Sequence, residues 1–353
     1  MIGIRADANE VIATGHIMRC ITIAKQLKKR GEQVLFFLAD DYACPLLRQE
    51  GMDYVCLYTD WKRMESELPA LLSQLSLYNC DKVLVDSYQA DVCYLAALRE
   101  VCRVIYIDDM FAAVYPVDLL INYNAYYTQF PYEETYGAEN RKKTELLLGT
   151  AYVPLRAEFS DERRGTGKTE TGESGGAVKN ILVSCGGGDI CDALSGILTH
   201  AMQREKLHDI VFHTVVGRFN RNADRLEELA GMHSRIKLHA DVKNMAGLME
   251  RCDAAVSAAG TVLYELCAMQ VPTVFFVCAD NQKYDSDFFA QGERMLFAGD
   301  VRSDRESCFL KICEGLERLT EDKLLRSSMK KKLRMVTDGS GAARIAEAIL
   351  RLE

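Results

Sequence analysis

No stretch of this sequence approaches the roughly 20 consecutive apolar residues that a membrane-spanning helix requires. No two of its 13 cysteines are spaced C-x-x-C, and their number is odd, which argues against a disulfide framework or a zinc ribbon. Cys20, Cys56, Cys185 and Cys267 fall inside apolar segments, where a reduced thiol behaves as a small hydrophobe. A basic excess is also lacking: the net charge is −8, the wrong sign for a nucleic-acid-binding protein. No His/Asp/Glu cluster has metal-ligand spacing, so neither a metal nor a cofactor is expected. The opening MIGIRADANE carries no basic n-region and no apolar h-region of a signal peptide. The expectation is a cytoplasmic protein with no stable membrane association.

What is present is organised around Ile2-Gly3-Ile4-Arg5-Ala6-Asp7 and the following Thr14-Gly15-His16-Ile17-Met18-Arg19. The first run reads as a short buried strand. From His16 the apolar residues Ile17, Ile21, Ala24 and Leu27 recur at helical spacing until Lys28-Lys29-Arg30-Gly31 closes the helix. A turn between strand and helix lies at the carboxyl end of the strand, where open α/β sheets bind ligands, and helix N–H groups there favour an electron-rich one. His16 alone would read more readily as a helix cap. The crowding of Asp7, Gly15, His16 and Arg19 into one turn shifts the reading to a site, with Arg19 on the same helix face as His16.

The 353 residues are enough for two domains. Strands are expected at 34–38, 54–57, 82–86, 104–109, 118–122 and 146–149, alternating with helices near 44–51, 62–77 and 91–101. That alternation implies a parallel sheet with right-handed crossovers. Residues 160–177 (SDERRGTGKTETGESGGA) have little to bury and read as a flexible linker. Their Gly167-Lys168-Thr169 is no phosphate loop, since Glu162 stands where a P-loop needs glycine. The pattern then restarts. Asn180–Cys185 is a strand, Gly186–Asp189 a glycine turn, and Ile190–Gln203 a helix. Strands at 210–216, 236–238, 254–257 and 273–277 alternate with helices near 222–230, 243–251, 261–269 and 282–291, and three more helices fill 304–353. The expected domains are 1–159 and 178–353, each Rossmann-like and doubly wound, facing one another across a cleft, with the last helix free to pack back on the first domain.

Two turns in the second half suit a diphosphate. Gly186-Gly187-Gly188-Asp189 lets backbone approach a ligand closely, though a plain tight turn explains it as well. Ser257-Ala258-Ala259-Gly260-Thr261 repeats the arrangement with small residues and hydroxyls. Glu265, one helical turn beyond Thr261, could accept both hydroxyls of a ribose, or be an ordinary helix glutamate. Asp280-Asn281-Gln282 supplies polar groups at a helix start, where an N-cap is the alternative.

These pieces, in this order, resemble a known family. The carboxyl-terminal half is similar to the GT-B nucleotide-sugar enzymes related to the bacterial glycosyltransferase that makes lipid II. The amino-terminal half, with Asp7, Gly15-His16-x-x-Arg19, Val85-Asp86-x-Tyr88 and Ile107-Asp108-Asp109, resembles the UDP-sugar hydrolases of pseudaminic acid biosynthesis. Those enzymes cleave UDP-2,4-diacetamido-2,4,6-trideoxy-β-L-altrose, and the likeness extends to the closing Asp338-Gly339-x-Gly341-x-x-Arg344. The resemblance implies a GT-B fold and hydrolysis of a UDP-sugar by water. It implies that His16 activates the water and that Asp7, Arg19 and Tyr88 surround the sugar. It further implies that Glu265 holds the ribose, that Gly187, Gly188, Ala259, Gly260 and Thr261 meet the diphosphate, and that Asn281 and Gln282 face the sugar. The segment from Val242 to Met245 is implied to read the uracil. An imidazole suits proton abstraction near neutral pH, and UDP leaves readily once amides meet its charge.

A glycosyltransferase using the same carboxyl half is the alternative. The turn before His16 has only Gly15 where the lipid II enzyme has several glycines, which weakens transfer more than hydrolysis. A nucleotide-sugar binding protein without catalysis is the third reading, and His16 has few roles in it.

Overall fold

The structure is a computed structural model and describes residues 1–9, 12, 14–137, 144–160, 176–189, 191–217 and 220–352. Residues 161–175, most of the expected linker, lie outside the described residues, as do Glu10, Val11, Ala13, Ile190 and the Asn281 side chain. The chain forms two compact units, Met1–Arg156 with Ser340–Glu353, and Ala157–Gly339.

The first unit holds β1 (Ile2–Ala6), β2 (Val34–Leu38), β3 (Asp53–Cys56), β4 (Lys82–Asp86), β5 (Arg103–Ile107), β6 (Leu119–Asn122) and β7 (Glu145–Leu148). They make one parallel sheet in the order β3-β2-β1-β4-β5-β6-β7. Strands buried on both faces must be apolar throughout, and every residue of VLFFL in β2 is buried. The chain runs outward from β1 to β3 and then returns to place β4 on the other side of β1. The β1/β4 boundary is therefore the topological switch point, where open sheets present their ligand crevice.

The helix Gly15–Lys29 buries His16, Ile17, Cys20, Ile21, Ala24 and Leu27 along one stripe. The last helix, Gly341–Arg351, packs against it within the same unit. Ala342, Ile345, Ala346 and Ile349 are buried there, and Arg30 pairs with Glu347 at 2.8 Å.

The second unit holds β8 (Asn180–Ser184), β9 (Val211–Val216), β10 (Ile236–Ala240), β11 (Ala254–Ala258), β12 (Thr273–Val277) and β13 (Leu296–Asp300). Its parallel sheet runs β10-β9-β8-β11-β12-β13, so the switch point lies between β8 and β11. β13 was not expected from the sequence. Its residues LFAGD carry no run of strand formers, Gly299 sits at φ +115°, and its register against β12 shifts at Phe275/Val277. The helix expected from Ile190 begins at Ala193. Asp304 and Asp322 cap the helices Arg305–Glu321 and Lys323–Arg334 by accepting from Ser307 N and Leu325 N, each cap stabilising by about 1 kcal/mol. Among the described residues no helix is long and apolar enough to cross a membrane.

Candidate functional site

In the first unit, β1 and β4 deliver side chains to the same switch point from 70 positions apart. His16 opens the helix after β1, and Asp86 ends β4; His16 Nδ1 lies 2.6 Å from Asp86 Oδ1. Arg19, one turn after His16, donates from Nε to Asp86 Oδ2 at 2.5 Å and from Nη2 to Oδ1 at 2.5 Å. Burial alone would raise the Asp86 carboxyl, but Arg19 and His16 hold it well below the usual carboxylate range. A carboxylate that stays ionised takes its hydrogen bond from a ring N–H. Neutral His16 therefore carries its proton on Nδ1, and Nε2 keeps a lone pair. Arg19 Nη2, 3.0 Å from the same Nδ1, is a second donor converging on Asp86 rather than a partner of the ring.

Arg19 is fixed on its other side as well. It donates to the Tyr123 hydroxyl at 2.6 Å and reaches Asp109 Oδ2 at 3.4 Å. Burial works against its charge, yet Asp86 raises it well above the ordinary guanidinium value. The Tyr123 phenol is pushed up to about 12 by burial, with Asp109 adding to the rise. Tyr88 donates to Asp109 Oδ2 at 2.9 Å and sets its ring edge-on to His16, centroids 4.7 Å apart. Its phenol is pushed well up by burial and by the Asp109 carboxylate. The His16 imidazole is thus held by a carboxylate at one edge and by a T-shaped contact with the Tyr88 ring.

Asp7 belongs to a second, deeper network. Arg5 is fully buried and donates to Asp7 Oδ2 at 2.5 Å and, through Nε and Nη2, to both oxygens of Glu67 at 2.6 and 2.7 Å. Asp7 Oδ1 accepts from Ala39 N at 2.8 Å, while Tyr94 and Thr59 hydroxyls complete Glu67. A fork between two carboxylates is the arrangement in which a buried guanidinium is tolerated.

Asp7, His16, Asp86 and Tyr88 open on a small recess that Ile12, Trp61, Ser87 and Gln89 also line. Of the residues expected around a sugar, Asp7, His16 and Tyr88 line it. Arg19 does not; it stands behind Asp86. Gly15 is exposed at the start of the helix, whose N-terminus has no side-chain cap.

In the second unit the expected residues gather on turns at the carboxyl ends of neighbouring strands. Gly187 and Gly188 follow β8, and Ala259, Gly260 and Thr261 follow β11, across the switch point. Gly260, at φ +136° before the helix Thr261–Ala268, takes a conformation that L side chains rarely adopt. Asp189 accepts from Ala193 N at 2.7 Å and Leu194 N at 2.9 Å, pinning the glycine turn to its helix, and burial raises its carboxyl. Glu265 lies half-buried one turn past Thr261. Gln282 folds back to accept from Cys278 N at 2.8 Å, after β12. Val242 and Met245 follow the edge strand β10, separated from β8 by β9. There the Met245 and Ala246 amides donate to Glu158 at 3.0 and 3.4 Å.

No family model matches the sequence. The UDP-2,4-diacetamido-2,4,6-trideoxy-β-L-altropyranose hydrolase of Campylobacter jejuni is 22% identical over 289 residues, 81% of this chain and 95% of that one. The spore coat polysaccharide biosynthesis protein SpsG of Bacillus subtilis is 28% identical over 211 residues, 59% of this chain and 58% of the other. An uncharacterised protein of Methanocaldococcus jannaschii is 22% identical over 280 residues, 77% of this chain; the chain spans about half of its length, 54%. Among solved structures, MurG of Acinetobacter baumannii matches 99% of each chain with a TM-score of 0.68 at 14% identity. The chain has the GT-B fold and is similar in sequence to the hydrolase and to SpsG.

Several residues of this GT-B chain that build the site carry weak signals in sequence. Asp86 and Asp109 show only as acids at or just past strand ends. Tyr123 and the Arg5–Glu67 pair show no signal, because their partners are distant in the chain. Gly217 is visible only in three dimensions: a Cβ there would lie 2.5 Å from Gly186 O and 2.6 Å from Gly187.

Proposed function

We propose that this protein hydrolyses a UDP-activated 2,4-diacetamido-2,4,6-trideoxy hexose to UDP and the free sugar, with His16 as general base, in the synthesis of pseudaminic or a related nonulosonic acid. The observation that supports this most is the His16–Asp86 pair, which leaves Nε2 as the proton-accepting nitrogen of a residue that lines the recess. In this reading Nε2 takes a proton from water as the water oxygen bonds to the anomeric carbon. The bond from that carbon to the diphosphate oxygen breaks, and its electron pair leaves with UDP. Asp86 stabilises the imidazolium that forms, and Arg19 keeps Asp86 ionised and oriented. The glycine turn after β8 and the turn after β11 supply backbone amides for the diphosphate, and Glu265 is the acceptor for the ribose. The relationship to the Campylobacter hydrolase, which reaches 81% of this chain, supports the choice of sugar.

The test is acceptor-free incubation with UDP-2,4-diacetamido-2,4,6-trideoxy-β-L-altrose, following UDP and free sugar by NMR. Turnover by the wild type, lost in His16→Ala, is the expected result. UDP binding without turnover would overturn hydrolysis and favour the second reading, a transferase in surface or spore-coat glycan synthesis. That reading draws on the likeness to MurG and SpsG.

A further inference from the structure

The lining of the recess beside His16 is chemically mixed. Asp7 and His16 are polar, while Ile12 and Trp61 bring apolar surface. Trp61 is the single tryptophan of the chain. It lies half-buried in the loop between β3 and the helix Met64–Leu77. That loop is anchored: Thr59 donates to Glu67 Oε2 at 3.1 Å, and Glu67 grips the Arg5 that holds Asp7. The same buried network therefore ties Asp7 to the loop that bears Trp61, as a binding site of fixed shape requires. Lys62 Nζ lies over the indole, 5.4 Å from its centroid.

We infer that Trp61 is a specificity-determining residue: with Ile12 it forms the apolar surface against which the substrate sugar places its deoxy carbon instead of a hydroxyl-bearing one. This rests on the reading that the recess takes the sugar of a UDP-sugar. The indole N–H is the one polar atom of the Trp61 side chain, and the Ile12 side chain has none. A hydroxyl pressed against this surface loses its water and gains no acceptor. Apolar walls discriminate modestly, so the preference for the deoxy sugar is on the order of 10–10²-fold.

The single tryptophan makes the test direct, since intrinsic emission then reports on the recess itself. Wild-type protein is titrated with free 2,4-diacetamido-2,4,6-trideoxy-L-altrose and with its 6-hydroxy counterpart, by fluorescence and by calorimetry. Trp61→Ser is titrated by calorimetry alone, after its urea midpoint has shown that it folds. The expected result is a shifted emission, at least tenfold tighter binding of the deoxy sugar, and a preference reduced to within twofold in Trp61→Ser. Unchanged emission at saturation, or a preference that survives in the variant, would overturn the assignment. Acceptor-free UDP release, assayed in parallel, separates the two claims. Discrimination without UDP release leaves Trp61 in its role and removes hydrolysis. UDP release with an unaltered KM ratio for the two UDP-sugars in Trp61→Ser keeps hydrolysis and removes the role of Trp61.

Discussion

His16 Nδ1 lies 2.6 Å from Asp86 Oδ1, although 70 positions separate the two residues in the chain. The contact fixes which ring nitrogen carries the proton, so it governs whether His16 can act as a base at all.

Replacing Asp86 by Asn keeps the volume and removes the charge that selects the tautomer. An amide can turn its NH₂ to the ring and place the proton on Nε2, where a base needs a lone pair. We expect kcat for UDP release to fall on the order of 10²–10⁴-fold, with the Kd for UDP unchanged within twofold by calorimetry. A kcat within threefold of wild type would show that the pair only holds the fold.

Arg5 is fully buried between Asp7 and Glu67, and removing it strands two carboxylates away from water. Arg5→Met should destabilise the protein by about 3–5 kcal/mol, the usual cost of breaking a buried ion pair from one side. Urea unfolding measures it; a loss under 1 kcal/mol would mean that water reaches the acids.

His213 Nδ1 and His239 Nε2 lie 3.0 Å apart on β9 and β10, and His213 Nε2 lies 3.1 Å from Asn180 Oδ1. Burial holds both imidazoles below their ordinary value; His239, Arg251 and Lys237 add to the effect on His213, and Arg251 to that on His239. The unfolded chain therefore protonates first as pH falls below about 6.5. Stability from this pair is full above that pH and declines as pH drops toward the lower folded values. The urea midpoint should fall between pH 7.5 and 5.5, and by less in His239→Gln. An equal fall in both proteins would place the titrating groups elsewhere.

Gly217 leaves no room for a side chain against the Gly186–Gly187 turn. Gly217→Ala must displace that turn, so UDP binding should weaken about tenfold or more while the His16 recess keeps its sugar affinity. Calorimetry with UDP and with free sugar reads the two separately. Unaltered UDP affinity would remove the turn after β8 from the nucleotide site.

The parallel strands were legible because a strand buried on both faces must be apolar along its length, as VLFFL and TVFFV are. The turn bearing His16 was legible because residues close in sequence are necessarily close in space. β13 escaped because LFAGD pairs on one side only and carries a glycine at positive φ, so no apolar run announces it. Asp86 could be seen as an acid ending a strand, but its choice of His16 depends on β4 lying beside β1, which strand order decides. Trp61 gave no signal, being a lone aromatic in a loop with no period to place it.

The helix Gly341–Arg351 has a consequence for how the protein is made. It covers the helix that carries His16, yet it is translated more than three hundred residues later. At ordinary synthesis rates the interval is on the order of tens of seconds. Throughout that time the amino-terminal unit waits on the ribosome with the seat of Ile345 and Ile349 uncovered. Its final packing step comes only after the whole second unit has been synthesised. A gene fragment ending near Arg156 would stay in that waiting state, and appending residues 340–353 to it is the shortest route to a self-contained His16 unit.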